Sequence, residues 1–308
     1  MKQSQDWIKK QGLAYAVLAK NGYHVKTPHI KSIGFRTASL CYSERQNLPN
    51  LAETYLINSF LKRNDAEINT SISSYLMDDG VKMVSLTGQE DISAYESIPL
   101  GKNAPLDLPL GAAITQRRSI RDFTGDPISF EHLSVLVRAM AGVSAQAESK
   151  LYDGDTVSFN LRTVPSGGGL YPIDIYIAVL NNKKIAKGIY RYQPIDDRLI
   201  KMGDEKKMNV ALASFAGAVD MVNSSHASLL FLYLAKPWRT MGKYGHRGLR
   251  FVFQEIGSIA QNLHLSATAL GLGSVDCAAF FEDELNKALH LDGVYQVALH
   301  STLVGTIA

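Results

Sequence analysis

The sequence predicts an α+β fold, on three observations. Helical and strand-like patterns are interleaved along the chain. They do not recur as regular βαβ units, which argues for an α+β architecture. One helical pattern, Arg247 to Leu270, continues for about six turns, with Leu249, Val252, Phe253, Ile256, Ala260, Leu263, Ala267 and Leu270 on one face.

The elements follow in order. The first twenty residues have a short apolar patch with charges at both ends and no cleavage site. They predict an amphipathic helix rather than a signal peptide. Leu51, Tyr55, Leu56, Phe60 and Leu61 recur at helical spacing. Glu96 to Leu110 carries Pro99, Pro105 and Pro109, so it is expected to be a linker or an arm. The chain thus divides into a mainly helical N-terminal region, 1–105, and a second domain, 106–308.

Gly111 to Arg118 is the second domain's first helix. The next starts after Pro127, with Ser129 as N-cap, Glu131 in the first turn, and Phe130, Leu133, Val137 and Met140 buried. Gly142 ends it. Ile173 to Val179 alternates as a strand. Asn181 and Asn182 turn the chain, and Gly188 to Tyr192 returns as its partner. Ser228 to Ala235 is continuously apolar, a central strand. After the long helix, Gly271 suits a left-handed C-cap. Ser274 to Ala278 and Tyr295 to Val304 are short strands.

Composition excludes several classes. The 308 residues are 46% hydrophobic and 20% charged, as in ordinary globular chains. A net charge of +3 does not call for nucleic acid. The longest clear apolar run, Leu229 to Ala235, is too short to cross a membrane. Cys41 and Cys277 stand alone, as reduced thiols of a cytoplasmic protein do. The eight histidines show no metal-binding spacing, so no metal site is expected.

Four segments carry the chemistry. Arg117, Arg118, Ser119 and Arg121 cluster at a helix end. Guanidinium forks suit phosphate oxygens, though such clusters also occur as solvated basic patches. Pro165-Ser166-Gly167-Gly168-Gly169-Leu170-Tyr171-Pro172 places three glycines before a strand. Such a turn allows close backbone approach to a flat ligand, or is simply a tight loop. Lys243-Tyr244-Gly245-His246-Arg247 opens the long helix. It is either a proton-transfer group or a polar helix end. Gly271-Leu272-Gly273-Ser274 by itself is a helix stop. Glu255 and Gln261 fall on the wetter side of the long helix.

In this order, over about residues 106–305, the segments resemble the nitroreductase-like flavoproteins. The glycine turn and the Lys-Tyr pair resemble the SagB-type dehydrogenases, or azoline oxidases, of thiazole/oxazole-modified peptide biosynthesis. The Leu48 to Leu56 stretch is similar to leaders in that branch. The resemblance implies a nitroreductase-like fold: a mixed central sheet, flanking helices, and a long helix in a homodimer interface. It implies FMN, with Arg117, Arg118, Ser119 and Arg121 at the phosphate and ribityl chain. Pro165, Ser166, Gly167 and Gly168 would line the isoalloxazine, with Leu272 and Gly273 on its other side. Lys243 would be the base and Tyr244 its orienter or relay in the two-electron oxidation of a thiazoline or oxazoline, with dioxygen reoxidising the flavin.

Implied partners are an azoline-containing precursor peptide, a cyclodehydratase and a peptide-recognition protein. The N-terminal region would dock to them or cap the core. Two alternatives stand beside the oxidase: an NAD(P)H-dependent reductase of nitro compounds, quinones or dehydroamino acids, and a non-catalytic scaffold of a synthetase complex. Many such proteins also carry a basic residue past the last strand. This sequence ends at Ala308, so its phosphate site would be completed elsewhere.

Overall fold

The computed structural model describes residues 22–26, 31–35, 55–56, 58–61, 66–87, 92–102, 104–151, 154–215 and 226–308. The chain divides into two compact units, residues 1–60 and 61–308. In the first, β1 (Gly22–Lys26) and β2 (Lys31–Phe35) form an antiparallel hairpin, with Gly22 opposite Phe35 and Lys26 opposite Lys31. Tyr55, Leu56 and Asn58 are helical, within the pattern expected over 51–61. The helix expected over the first twenty residues, the stretch 48–54, and Cys41 lie outside the described residues.

The second unit begins with α1 (Ala66–Met77), α2 (Asp79–Thr87), β3 (Ser97–Pro99), α3 (Leu110–Gln116) and α4 (Phe130–Ala141). A polar ribbon, β4 (Val143–Lys150) with β5 (Thr156–Arg162), precedes the glycine turn. Then come β6 (Ile173–Val179), β7 (Gly188–Gln193), β8 (Arg198–Gly203), α5 (Glu205–Ala213) and β9 (Leu229–Ala235). The chain closes with α6 (Trp238–Tyr244), α7 (Gly248–Ala269), β10 (Leu272–Asp276), α8 (Glu282–Leu289) and β11 (Val297–Thr306).

Seven strands form one sheet in the order β10-β11-β9-β6-β7-β8-β3. Its pairings are antiparallel, and a parallel bridge joins Ser119 to Ser274 at the β10 edge. β9 lies inside the sheet and is buried at every residue. Its side chains alternate between two cores, as the period of two requires. Leu229, Phe231, Tyr233 and Ala235 meet α4 and α7, while Leu230, Leu232 and Leu234 meet α5 and α8. Helices therefore cover both faces, and the fold is α+β. No helix among the described residues is long and apolar enough to cross a membrane.

α4 starts where expected. Ser129 Oγ accepts from the His132 amide at 3.0 Å, and Gly142 closes the helix. The proline-bearing arm is pinned along α4. The Gly101 amide donates to Ser134 Oγ at 2.9 Å, and Arg138 Nη1 donates to the Gly101 carbonyl at 2.8 Å. Pro99 sits on the edge strand β3, where a missing donor is tolerated.

Several expectations are corrected. The buried face of α7 is rotated: Phe253 is 51% exposed, while Glu255 is 2% exposed and belongs to the inner face. Gln261 is exposed as expected. The Lys-Tyr pair does not open α7. It closes the separate helix α6, and a short 3₁₀ turn over 245–247 joins the two. β10 begins at Leu272, two residues before the expected start, because it pairs with β11 from Thr306 inward. The ribbon β4–β5 has little apolar alternation to announce it. It exists through its own cross-strand pairing, outside the main sheet.

The α4 contacts set a stability comparison. Leu133 is fully buried, so Leu133→Ala should cost about 2–5 kcal/mol in urea unfolding. Ser129→Ala, which removes only the cap, should cost about 1 kcal/mol. Equal losses in the two variants would contradict this packing.

Candidate functional site

The site starts from a local break in the backbone. Neighbouring residues on a helix point about 100° apart, so an adjacent pair does not normally converge. Here α6 ends as the pair is made. Tyr244 has left helical geometry at φ −115°, ψ 12°, and Gly245 follows at φ 56°, ψ −150°. That second conformation is nearly closed to residues with a Cβ. Ser71 of α1 holds the end of α6 in place, its Oγ lying 3.0 Å from the Gly242 carbonyl and 3.1 Å from that of Lys243.

Both side chains then reach the glycine turn. Gly168 has φ +71°, and a Cβ there would lie 2.6 Å from Tyr244 Oη and 3.1 Å from Lys243 Nζ. Gly169 is also left-handed, at φ +68°. At Gly167 a Cβ would press on the Phe251 ring at 3.1 Å, and Phe251 meets the Tyr244 ring edge-on at 5.0 Å. The structure thus joins two motifs more than 70 residues apart.

The environment separates the roles of the pair. Burial, then repulsion from Lys82, lowers the pKa of Lys243. The Tyr75 ring face, 4.2 Å from Lys243 Nζ, gives the cation a contact but does not reverse that direction. Burial, then Tyr75, raises the pKa of Tyr244, which holds its phenol protonated. The pair therefore combines an amine inclined to lose its proton with a phenol inclined to keep its own.

Beneath the turn lies Glu255, which the sequence reading placed on the wet side. Burial pushes its carboxyl up to about 7, against the Ser166 hydrogen bond, the charges of Arg162 and Arg239, and the Ile173 amide. Its Oε2 has no hydrogen-bond partner among the described residues. Ser166 faces inward as well, accepting from the Tyr171 amide at 2.9 Å. Pro165 and Gly168 are the exposed residues of the turn, and at Gly168 it presents backbone alone.

The other two motifs meet at the far end of α7. The Ile120 amide donates to the Ser274 carbonyl at 3.0 Å, beside the Ser119–Ser274 bridge. A Cβ at Gly273 would press on Ile307 and Ile120, at 2.5 and 3.0 Å, so this glycine permits the approach. Leu272 is buried beside it. Arg118 and Arg121 are exposed and Arg117 half-buried, and none of the three is in an ion pair with a described residue. Arg118 Nη1 donates to the Thr115 and Arg117 carbonyls. The arrangement fits an anionic group.

A buried polar chain braces this end. His264 Nδ1 is 2.8 Å from Ser274 Oγ, and its Nε2 is 3.1 Å from Asp276 Oδ1. His300 and Thr302 also reach Asp276, at 3.2 and 2.7 Å. The order serine–histidine–aspartate is that of a hydrolytic triad, but Ser274 is 2% exposed and offers no nucleophile to solvent. Burial would raise the Asp276 pKa. Hydrogen bonds from His264, His300 and Thr302 outweigh it and hold the carboxyl well below its usual range. No group of three or more metal-ligating side chains is poised for a metal ion among the described residues.

The two clusters stand apart. Phe251 and Gly271 are about 30 Å apart along the helix at 1.5 Å per residue. The structure brings the arginine segment to the Gly-Leu-Gly turn, and the Lys-Tyr pair to the triple glycine, without bringing the two sets together in one chain. Sequence reasoning missed Ser71, Tyr75, Lys82, Arg162 and Arg239. Their signals are spatial, and α1 is 171 residues from the carbonyl that Ser71 contacts.

The chain matches the nitroreductase family over residues 114–305, and it belongs to that family. It is 31% identical to a nitroreductase-like protein of Methanocaldococcus jannaschii over 186 residues, 60% of this chain and 86% of the relative. It is 27% identical over 135 residues to the microcin B17-processing protein McbC of Escherichia coli, covering 42% of this chain and about half, 49%, of that relative. In fold it is similar to a chain of the E. coli microcin synthetase McbBCD complex, solved with truncated pro-MccB17 bound. That match has a TM-score of 0.50 and 18% identity, and covers 86% of this chain and all of that one.

Two outcomes check the site. A carboxyl with a depressed folded pKa adds stability above its unfolded value and loses it as pH falls. Asp276→Asn should therefore lower the melting temperature at pH 7, and the gap to wild type should begin to narrow below about pH 4 and keep narrowing as pH falls further. Gly245→Ala meets open space but a strained backbone, so it should cost about 1–3 kcal/mol in denaturant titration.

Proposed function

We propose that this protein is an FMN-dependent dehydrogenase that oxidises peptide thiazolines or oxazolines to thiazoles or oxazoles, in the biosynthesis of a ribosomally made modified peptide. The observation that carries this reading is the convergence of Lys243 Nζ and Tyr244 Oη on Gly168. Similarity to a microcin-processing protein supports the substrate class.

Arg117, Arg118, Ser119 and Arg121 would hold the phosphate and ribityl chain. Pro165, Ser166, Gly167 and Gly168 would line one side of the ring system, chiefly through backbone, and Leu272 and Gly273 the other. Bound FMN would supply the acceptor for the two electrons that leave the azoline ring. The ring loses two hydrogens: one as a proton to the neutral Lys243 amine, the other with the electron pair. Tyr244, kept protonated, donates a hydrogen bond that orients the ring or the amine.

The 30 Å separation of the half-sites supports a homodimer. A two-fold arrangement lets one copy's arginines meet its partner's glycine turn. Large apolar side chains are available for such a face: Leu110, Ile114 and Phe253 are exposed. A cytoplasmic complex with a cyclodehydratase and a peptide-recognition protein completes the reading, with residues 1–105 as the docking region and 106–308 as the flavin domain.

A second reading is favoured by the M. jannaschii relative, the higher of the two sequence identities. It makes the protein an NAD(P)H-driven reductase of nitro, quinone or dehydroamino-acid substrates. NADPH that bleaches the flavin rapidly, with no azoline oxidation, would decide for it.

The test is turnover of an azoline peptide, followed by mass for the loss of two hydrogens per ring. Lys243→Ala should reduce the rate by about 10²–10⁴-fold while leaving the flavin spectrum intact. Tyr244→Phe should lose less. Because the neutral amine is the active form, wild-type rate should rise with pH, with a midpoint below the ordinary lysine value of 10.5. Flavin-bearing protein that leaves every azoline unchanged refutes the oxidase. A flavin-free protein that takes up no FMN leaves the scaffold.

A further inference from the structure

A second concavity, of about 360 Å³, opens at the end of the sheet behind the glycine turn. Pockets of roughly this size and above hold small molecules, from about 300 Å³ upward. Its walls include four cations: Arg162 of β5, Arg191 of β7, Lys236 after β9, and Arg239 of α6. The carboxylate among them is Asp174 of β6, paired with Lys236 at 2.6 Å. Glu255, behind the wall, is the other acid that acts on Arg162 and Arg239.

The cations are held in position rather than splayed into water. The Arg162 guanidinium lies over the Tyr171 ring at 4.5 Å, and Arg239 Nη1 donates to the Tyr171 carbonyl at 3.2 Å. Burial raises the cost of charging Arg162, Asp174 and Glu255 offset part of it, and the nearby Arg239 adds to it. Among the described residues Arg162, Lys236 and Arg239 face Asp174 and Glu255, and burial leaves Glu255 only partly ionised near neutrality. Concentrating like charge away from water is costly unless a counter-charge joins it.

We propose that this cavity binds a small oxyanion, a carboxylate or a phosphoryl group, gripped by Arg162, Lys236 and Arg239. Planar guanidinium forks match both chemistries. The site is separate from the arginines of 117–121, which lie toward the other end of α7. It is close to the Lys-Tyr pair: Arg239 precedes Lys243 by one turn on the same face of α6. Resting on the peptide reading, this places an acidic side chain or C-terminal carboxylate of the substrate in the cavity. Anion binding itself does not depend on that reading.

The test is calorimetric titration of the purified protein, with whatever flavin it carries, using inorganic phosphate and glutarate at fixed ionic strength. At least one should bind saturably. Arg239→Met and Lys236→Gln should each weaken that binding about tenfold or more, whereas Lys287→Gln on α8 should not. Glutarate binding alone assigns a carboxylate site, and phosphate binding alone a phosphoryl site. If Arg239→Met does not fold by circular dichroism, Lys236→Gln carries the same test. The proposal is overturned if neither anion binds, if binding survives both cavity variants, or if Lys287→Gln weakens it as much as they do. None of these outcomes depends on azoline turnover.

Discussion

Packing of α7 against the sheet fixes the position of everything around it. Val252, Ile256, Ile259, Ala260, Leu263 and Ala267 form one continuous buried stripe on this helix. A helix buried over that length neither bends freely nor slides. Its first turns therefore set the height of the triple-glycine loop, through Phe251 and Glu255. Its last turn delivers Gly271, at φ +68°, and the strand that the arginine segment joins. The proposed dimer follows from this ruler. A second copy would bring together the two half-sites that this rod holds apart.

Burial has opposite consequences at the two ends of the rod. Around Glu255 and Lys243 few hydrogen bonds offset desolvation, so the acid is pushed up and the amine down. Around Asp276 three side-chain donors overcome desolvation, and the acid is pushed down. The first eases loss of the proton from the amine and its retention on the acid. The second is the condition for a brace that stays ionised. The proposed function accordingly places proton chemistry at the glycine-turn end and anchoring at the arginine end.

Much of the fold was legible because burial has a period. β6, β9 and α4 lie where their apolar patterns place them, and Ser129 caps α4 as its sequence requires. What was not legible lacked such a signal. β4 is polar and exposed, so only its partner strand defines it. Glu255 was misplaced because a carboxyl is ordinarily assigned to solvent. Yet Val252, Glu255, Ile259 and Leu263 share helical spacing, and an acid inside an apolar stripe is itself a sign of a site. The separation of the four motifs into two pairs depended on helix length and on contacts far apart in sequence, which no local pattern carries.

The Lys-Tyr-Gly order shows how a short motif can encode geometry rather than chemistry alone. Had α6 continued unbroken into α7, residues 243 and 244 would diverge around the helix, and only one could face Gly168. Ending α6 at Tyr244 frees the second side chain. The reversal needs a residue that accepts φ 56°, ψ −150°, and Gly245 supplies it where no neighbour crowds its missing Cβ. The glycine of this motif therefore has no contact to make, and its role is to let two adjacent side chains share one target. Gly168 completes the arrangement from the other side, since a Cβ there would occupy the space both tips now fill. Two glycines, one in each motif, make the meeting of amine, phenol and backbone sterically possible.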